Sequence, residues 1–341
     1  MRNSLLDCRW DHTCVVDKRT LKLLFDMHGA ALRTLKLNRQ TSEPIGPLPD
    51  GLHNLRLGSL ASASGKSRWE MDYQNSNLYW QTALVAGSCK TLRHLELGSE
   101  TDAAQDFFGE PIGDDNRMDD NHTIMFGRTL KREFKNIKAS ISLDSLKLIS
   151  YDIGIILDNK HWPSVDLRNI TKLVLEDCYD TQVAFPLLSS TSRNPKNAHC
   201  LMNLTSFTFR QKNLDDDDRK QLQNLLCSLS GRLIHLSVLL DGSEDYNHML
   251  NLESILLIHG KTLRTLVWDE RGYRREAMNE DRALLPRKDR MRHLSIISKS
   301  CPELKELGIV IDWAAVRVSN ESRQKVLSAT FDSNEAFTHH R

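Results

Sequence analysis

Apolar residues recur along this chain in a six-residue frame, apolar-x-x-apolar-x-apolar, with polar or charged residues between them. The frame reads LRTLKL from Leu32, LHNLRL from Leu52, LRHLEL from Leu92 and LDSLKL from Leu143. It continues as ITKLVL from Ile170, LTSFTF from Leu204, LIHLSV from Leu233, LRTLVW from Leu263 and LKELGI from Leu304. Nine copies at intervals of 20 to 51 residues form an irregular repeat. The end of each frame alternates with period two, which predicts a short strand with one buried side. Leu35 and Leu37 then point inward, while Thr34, Lys36 and Asn38 face outward.

The flanks separate a repeat from a chance enrichment in leucine. MHGAALRTLKL, from Met27, matches IHGKTLRTLVW, from Ile258, at His-Gly and at LRTL. SCKTLRHLEL, from Ser88, matches SCPELKELGI, from Ser300, at Ser-Cys and throughout the leucine frame. Helix signals precede several strands. Leu252, Ile255, Leu256 and His259 share a helical face that stops at Gly260, and Leu21, Leu24, Phe25 and His28 do so before Gly29. Asp215 to Asp218 open a third helix, whose stripe is Leu222, Leu225, Leu226 and Leu229.

Each unit therefore reads helix, tight turn, short strand, and no unit alone can bury its apolar side. Stacking buries it, so the predicted fold class is a right-handed α/β solenoid of about nine irregular repeats, with parallel strands on the concave face and helices on the convex face. Residues 1–20 read as an N-terminal cap or degenerate repeat and 21–318 as the solenoid. Loop insertions are expected near 99–130 and 269–289, and a polar C-terminal tail over 319–341.

The bulk numbers then narrow the classes. Lys plus Arg is 46 and Asp plus Glu is 45, so the net charge of +1 supplies no global field toward nucleic acid or membrane. The seven cysteines include no CxxC pair, which argues against a disulfide framework and a structural zinc site. The N-terminus lacks the apolar core of a signal peptide, and no run is long enough for a membrane helix. The expected location is cytoplasmic or nuclear, not secreted.

The frame C-x-x-L-x-x-L-x-L resembles the cysteine-containing leucine-rich repeats of F-box proteins, those of fungi in particular. Cys89 and Cys301 hold the leading cysteine position, and Cys178, in ITKLVLEDC, holds the trailing one. The resemblance runs roughly from Leu21 to Asp312. It implies a leucine-rich-repeat protein that binds protein through its concave face, as a substrate receptor of a ubiquitin ligase. The N-terminal F-box that docks such proteins onto Skp is not found: the residues ahead of Leu32 contain no Leu-Pro. Skp and cullin subunits are thus expected partners only if an F-box is supplied or was missed.

Little else in the sequence nominates chemistry. The cysteines read as small apolar fillers at the strand corners. Asp215–Asp218 lacks the spaced ligands of a calcium loop and suits a helix start. No HExxH, phosphate-binding or nucleophile-elbow motif occurs, so no catalytic, cofactor-binding or metal residue is assigned and no cofactor is expected. The sequons at Asn169 and Asn203 fall against repeat strands, where a glycan would clash.

The candidate partner-binding face consists of the outward strand positions Lys36, Arg56, His94, Glu96, Lys147, Lys172, Glu176, Arg210, His235, Asp269 and Glu306. An ordinary solvated sheet face would carry a similar mixture. Apolar outward positions, Ile149, Val174, Leu239, Val267 and Val310, are the more pointed expectation, because exposed apolar residues on a sheet mark a contact. The expected function is non-enzymatic recognition of a protein partner, in a ubiquitin-ligase context or, alternatively, as a free-standing scaffold or a regulator of a GTPase or other enzyme. Neither nucleic acid nor membrane is an expected partner.

Overall fold

The computed structural model describes residues 5–10, 16, 18–37, 48–58, 82–98, 128, 130, 131, 141–149, 151–157, 165–189, 201–212, 214–230, 232–243, 250–272 and 287–309. The chain divides into two compact units, the first comprising Met1–Phe209 with Ser228–Ser230 and the second Arg210–Cys227 with Gly231–Arg341. Val310, the tail 319–341 and most of both predicted insertions lie outside the described residues.

In the first unit, β1 (Asp7–Trp10), α1 (Lys18–His28), β2 (Thr34–Leu37), β3 (Asn54–Leu57) and β4 (His94–Leu97) are followed by β5 (Ile141–Ser142) and β6 (Ser145–Ile149). Then come α2 (Ile153–Leu157), β7 (Val165–Asp166), β8 (Lys172–Glu176), α3 (Thr181–Leu188) and β9 (Ser206–Lys212), within which the division falls. The strand order is β1-β2-β3-β4-β6-β8-β9, with β5 and β7 paired separately. The second unit holds α4 (Asp216–Ser228), β10 (His235–Ser243), α5 (Leu252–His259), β11 (Thr265–Gly272), α6 (Arg287–Ser300) and β12 (Glu306–Ile309), with strand order β10-β11-β12. The fold is thus α/β, with, among the described residues, ten strands in one parallel sheet and helices between them.

The leucine frame sets the strand register. Leu35, Leu55, Leu95, Leu146 and Leu173 stand directly opposite one another, as do Leu37, Leu57, Leu97, Leu148 and Leu175, and all ten are buried. Each such leucine contributes roughly 1.5–3 kcal/mol by leaving water. A one-residue slip would turn the whole set to solvent, so the pairing has no near-degenerate alternative. Further along the first unit, Phe185 meets Phe209 edge-to-face at 5.4 Å.

The turns repeat one hydrogen-bond pattern. The carbonyl of the residue immediately before β1, β2, β3, β4, β6 or β8 accepts two backbone N–H groups from the turn that leads into the next strand of the sheet. Leu6 O accepts from Arg33 and Thr34, Arg33 O from His53 and Asn54, and His53 O from Arg93 and His94. Arg93 O, Asp144 O and Thr171 O continue the series, and in the second unit Ile234 O and Arg264 O do the same. Threonines reinforce it: Thr91 Oγ1 donates to Leu52 O, Thr205 Oγ1 to Thr171 O and Thr262 Oγ1 to Leu233 O. Turn N–H groups that a short strand would leave orphaned are satisfied in this way.

Helices form where the stripes predict. α1 buries Leu21 and Phe25, α4 buries Leu222, Leu225 and Leu226, and α5 buries Leu252, Ile255, Leu256 and His259. Asp215 caps α4, its Oδ1 accepting the Asp218 N–H at 2.7 Å, with Asp216–Asp218 in the first turn. Gly260 ends α5 in the right-handed region, so space rather than φ demands glycine: a Cβ there would lie 2.4 Å from the Ser300 carbonyl oxygen. Gly98 needs glycine twice over, with φ of 95° and a Cβ that would sit 2.3 Å from Ile149 O.

Several expectations change. Ile149 is buried, not outward, because the Gly98 turn lies against it. Val174 is buried although it continues an outward row. Thr34 is buried too, its hydroxyl accepting the Asn54 amide at 3.1 Å. Leu307, an expected core position, is 43% exposed on β12. β11 runs through Gly272 and α6 starts at Arg287, so both ends of the expected 269–289 insertion belong to regular elements.

Candidate functional site

Strand register sorts the outward positions into rows. In the first unit, Asp7, Thr34, Asn54, His94, Ser145 and Lys172 stand opposite one another in one row. Arg9, Lys36, Arg56, Glu96, Lys147 and Val174 form the next. A parallel sheet spaces such side chains about 4.8 Å apart, close enough for neighbouring charges to interact.

Part of the second row is a chain of alternating charge. Arg56 Nε lies 3.4 Å from Glu96 Oε1, and Lys147 Nζ lies 3.5 Å from the same oxygen. Lys147 Nζ also lies 3.2 Å from Glu176 Oε1 on β8. These four side chains keep between 16% and 19% of their exposure, so the pairs are screened less than rim pairs would be. At the β1 end the row turns basic: Arg9, Lys36 and Arg56 are consecutive, and Arg9 pairs with Asp7 at 2.8 Å. His94 and Lys172 are exposed in the first row.

Seven of the sequence-derived candidates, Lys36, Arg56, His94, Glu96, Lys147, Lys172 and Glu176, therefore share one side of the first unit's strands, and four of them interact directly. The second unit carries the other four separately. There, His235, Thr265 and Glu306 stand opposite one another, and Thr265 Oγ1 donates to Glu306 Oε2 at 3.1 Å. Asp269 lies farther along, opposite Leu239, and Arg210 is half-buried on β9. Leu239 and Val267 are half-buried, and a Cβ at Gly308 would press on Val267 at 3.2 Å.

Four of the described thiols are shifted away from activation. Burial pushes Cys178 up to about 12 and Cys301 up to about 11, and it raises Cys89 and Cys8 as well. A nucleophilic cysteine needs the opposite shift. Cys178 Sγ donates to the Leu148 carbonyl at 3.5 Å, as a corner filler does. Among the described residues no group of three or more His, Cys, Asp or Glu is placed to hold a metal ion. The sequon asparagines work structurally: Asn169 Nδ2 donates to Ser142 Oγ, and Asn203 Nδ2 to Arg168 O.

One arrangement in the second unit escaped the sequence reading. Glu270 and Arg219 are both buried, and neither carboxylate oxygen of Glu270 accepts a hydrogen bond of normal geometry. Burial pushes the Glu270 carboxyl up to about 7, opposed by the Arg219 charge and the Leu250 amide, while Asp269 adds to the rise. Burial also lowers the Arg219 guanidinium, whose Nε donates to Leu214 O at 3.2 Å. Parity held the clue: Glu270 follows Leu266 and Trp268 on the inward side, and Arg219 stands one turn ahead of Leu222 on its stripe.

Among the described residues no helix is long and apolar enough to cross a membrane. Comparison of the chain with protein-family models, curated proteins and solved structures yields no match.

Proposed function

We propose that this chain is a non-enzymatic leucine-rich-repeat module that recognises a protein partner across the outward side of its parallel strands. The observation that carries the proposal is the in-register row from Arg9 to Val174, in which a repeated apolar frame fixes the backbone and leaves successive outward positions free to differ. The repeated turn hydrogen bonds and the stacked leucines support a solenoid of this class, with a concave strand side and a convex helical side. Thiols held protonated by burial favour recognition over catalysis.

The finer proposal, from the cysteine-bearing repeat frame, is substrate recognition for a ubiquitin ligase in the cytoplasm or nucleus, the transfer chemistry belonging to other subunits. Affinity purification of the full chain from its native source, followed by mass spectrometry, tests it. Recovery of Skp and cullin subunits supports the ligase context. Their absence alongside a reproducible protein partner sinks that context and favours the free-standing scaffold or enzyme regulator. Loss of that partner in Lys147→Glu, with the fold intact by circular dichroism, is the result expected of binding at the strand face. Retention would overturn it.

A further inference from the structure

We infer that the basic end of the outward row, formed by Arg9, Lys36 and Arg56, docks an extended acidic peptide segment of the partner, with two carboxylates at alternate positions seated over the three cations. The inference rests on the strand-face reading above and adds the partner's chemistry to it.

The register puts Arg9 opposite Lys36 and Lys36 opposite Arg56. Like charges directly opposite on neighbouring strands are destabilising, so the fold alone gives no reason to align them. Farther along the same side the charges compensate: Glu96 lies between Arg56 and Lys147 in the row, and Glu176, two residues beyond Val174 on β8, takes the far side of Lys147. Arg9 shares its charge with Asp7 and Arg56 shares its charge with Glu96. Lys36, half-buried between the two arginines, has no ion pair or hydrogen bond among the described residues. The local excess of positive charge is centred on it.

The spacing matches an extended peptide. Three cations on adjacent strands span about 10 Å, and alternate side chains of an extended segment repeat about every 7 Å, so two carboxylates can each bridge two adjacent cations. A nucleic acid suits the surface less well. Asp7, Glu96 and Glu176 lie on the same side of the strands and would repel a continuous phosphate backbone, and neither row from β1 to β8 contains a Phe, Tyr or Trp on which successive bases could stack.

The test titrates the full chain with a fluorescein-labelled decapeptide alternating Glu and Ser, and with its Gln–Ser counterpart, by fluorescence anisotropy. The acidic peptide is expected to bind about tenfold tighter or better, with the difference shrinking as salt is raised. Lys36→Glu should abolish that preference, and the milder Lys36→Gln should weaken acidic-peptide binding about fivefold. Lys172→Glu, exposed on β8 in the neighbouring row, should change it less than about twofold. Equal binding of the two peptides overturns the inference. So does an unchanged affinity in Lys36→Gln, or competition by an oligothymidylate as strong as by unlabelled acidic peptide. A partner from the purification above that is lost on Lys147→Glu yet retained on Lys36→Glu overturns this inference and leaves the strand-face reading standing.

Discussion

His259 Nε2 lies 2.8 Å from the backbone carbonyl oxygen of Leu226, tying α5 to α4 within the second unit through a ring that is completely buried. That contact makes Nε2 the donor, and Nδ1 is then a buried acceptor with no partner. Burial lowers the His259 pKa from its ordinary value of 6.5, while the hydrogen bond to Leu226 pulls it up by less. In the unfolded chain the ring takes a proton near 6.5, and in the folded chain only at lower pH. The folded state therefore binds fewer protons over that window, and stability falls as pH drops through it. Urea unfolding at pH 7 and pH 5 should show this fall shrinking in His259→Leu. That variant should also cost about 1–3 kcal/mol at pH 7, because the Leu226 carbonyl is left unpaired. An unchanged pH slope would remove His259 from the account.

Glu270 works in the opposite sense. Its folded pKa of about 7 lies above the ordinary 4.5, so its favourable contribution is complete below 4.5 and is lost as pH rises through about 7. Arg219 limits that loss by stabilising the charged form. Arg219→Met should therefore cost about 3–5 kcal/mol at pH 8, where a carboxylate would be left without its cation, and clearly less at pH 5. Glu270→Gln should narrow the pH dependence of the wild type. Equal costs for Arg219→Met at the two pH values would show that the groups do not communicate.

Identical repeat positions should differ in energy according to what covers them. Leu266 is completely buried between Leu236 and Leu307, whereas Leu307 is 43% exposed. Leu266→Ala should cost about 2–5 kcal/mol in urea unfolding, and Leu266→Asp should unfold the second unit cooperatively. Leu307→Ala should cost under about 1 kcal/mol. Similar values at both positions would mean the strand register is wrong.

Glycines offer a test free of charge effects. Gly98→Ala places a Cβ 2.3 Å from Ile149 O at φ of 95°, and Gly260→Ala places one 2.4 Å from Ser300 O. Both should lower the thermal midpoint by several degrees, since each costs about 1–3 kcal/mol of strain. Gly51→Ala meets only the Arg33 guanidinium tip at 2.5 Å, which can swing aside, so its midpoint should stay within about 2 °C of wild type. A large loss in Gly51→Ala would show that the Arg33 hydrogen bond to Gly51 O matters more than its exposed setting implies.

The repeat frame was readable because its signal is periodic and local. Leucines at fixed spacing specify which side of a strand is buried, and the stripe before Gly260 specifies a helix and its end. The charge row was legible only as a set of outward residues. Which of them touch depends on pairing register across 20 to 51 residues of intervening chain, so Glu96 emerged as the shared partner of Arg56 and Lys147 only in three dimensions. Burial at the ends of strands was harder still. Ile149 and Val174 follow outward parity yet are covered, because parity describes one strand and ignores what its neighbours fold over it.

By itself, then, the sequence determined the α/β class, the unit of helix, turn and strand, and the leucines that fill the core, since each follows from a period imposed by backbone geometry. Tertiary structure alone decided that Lys36 stands between two arginines, that Glu270 is sealed in with Arg219, and that His259 bonds Leu226. Those relationships join residues distant along the chain, and their charge states depend on a local exclusion of water that no stretch of sequence carries alone.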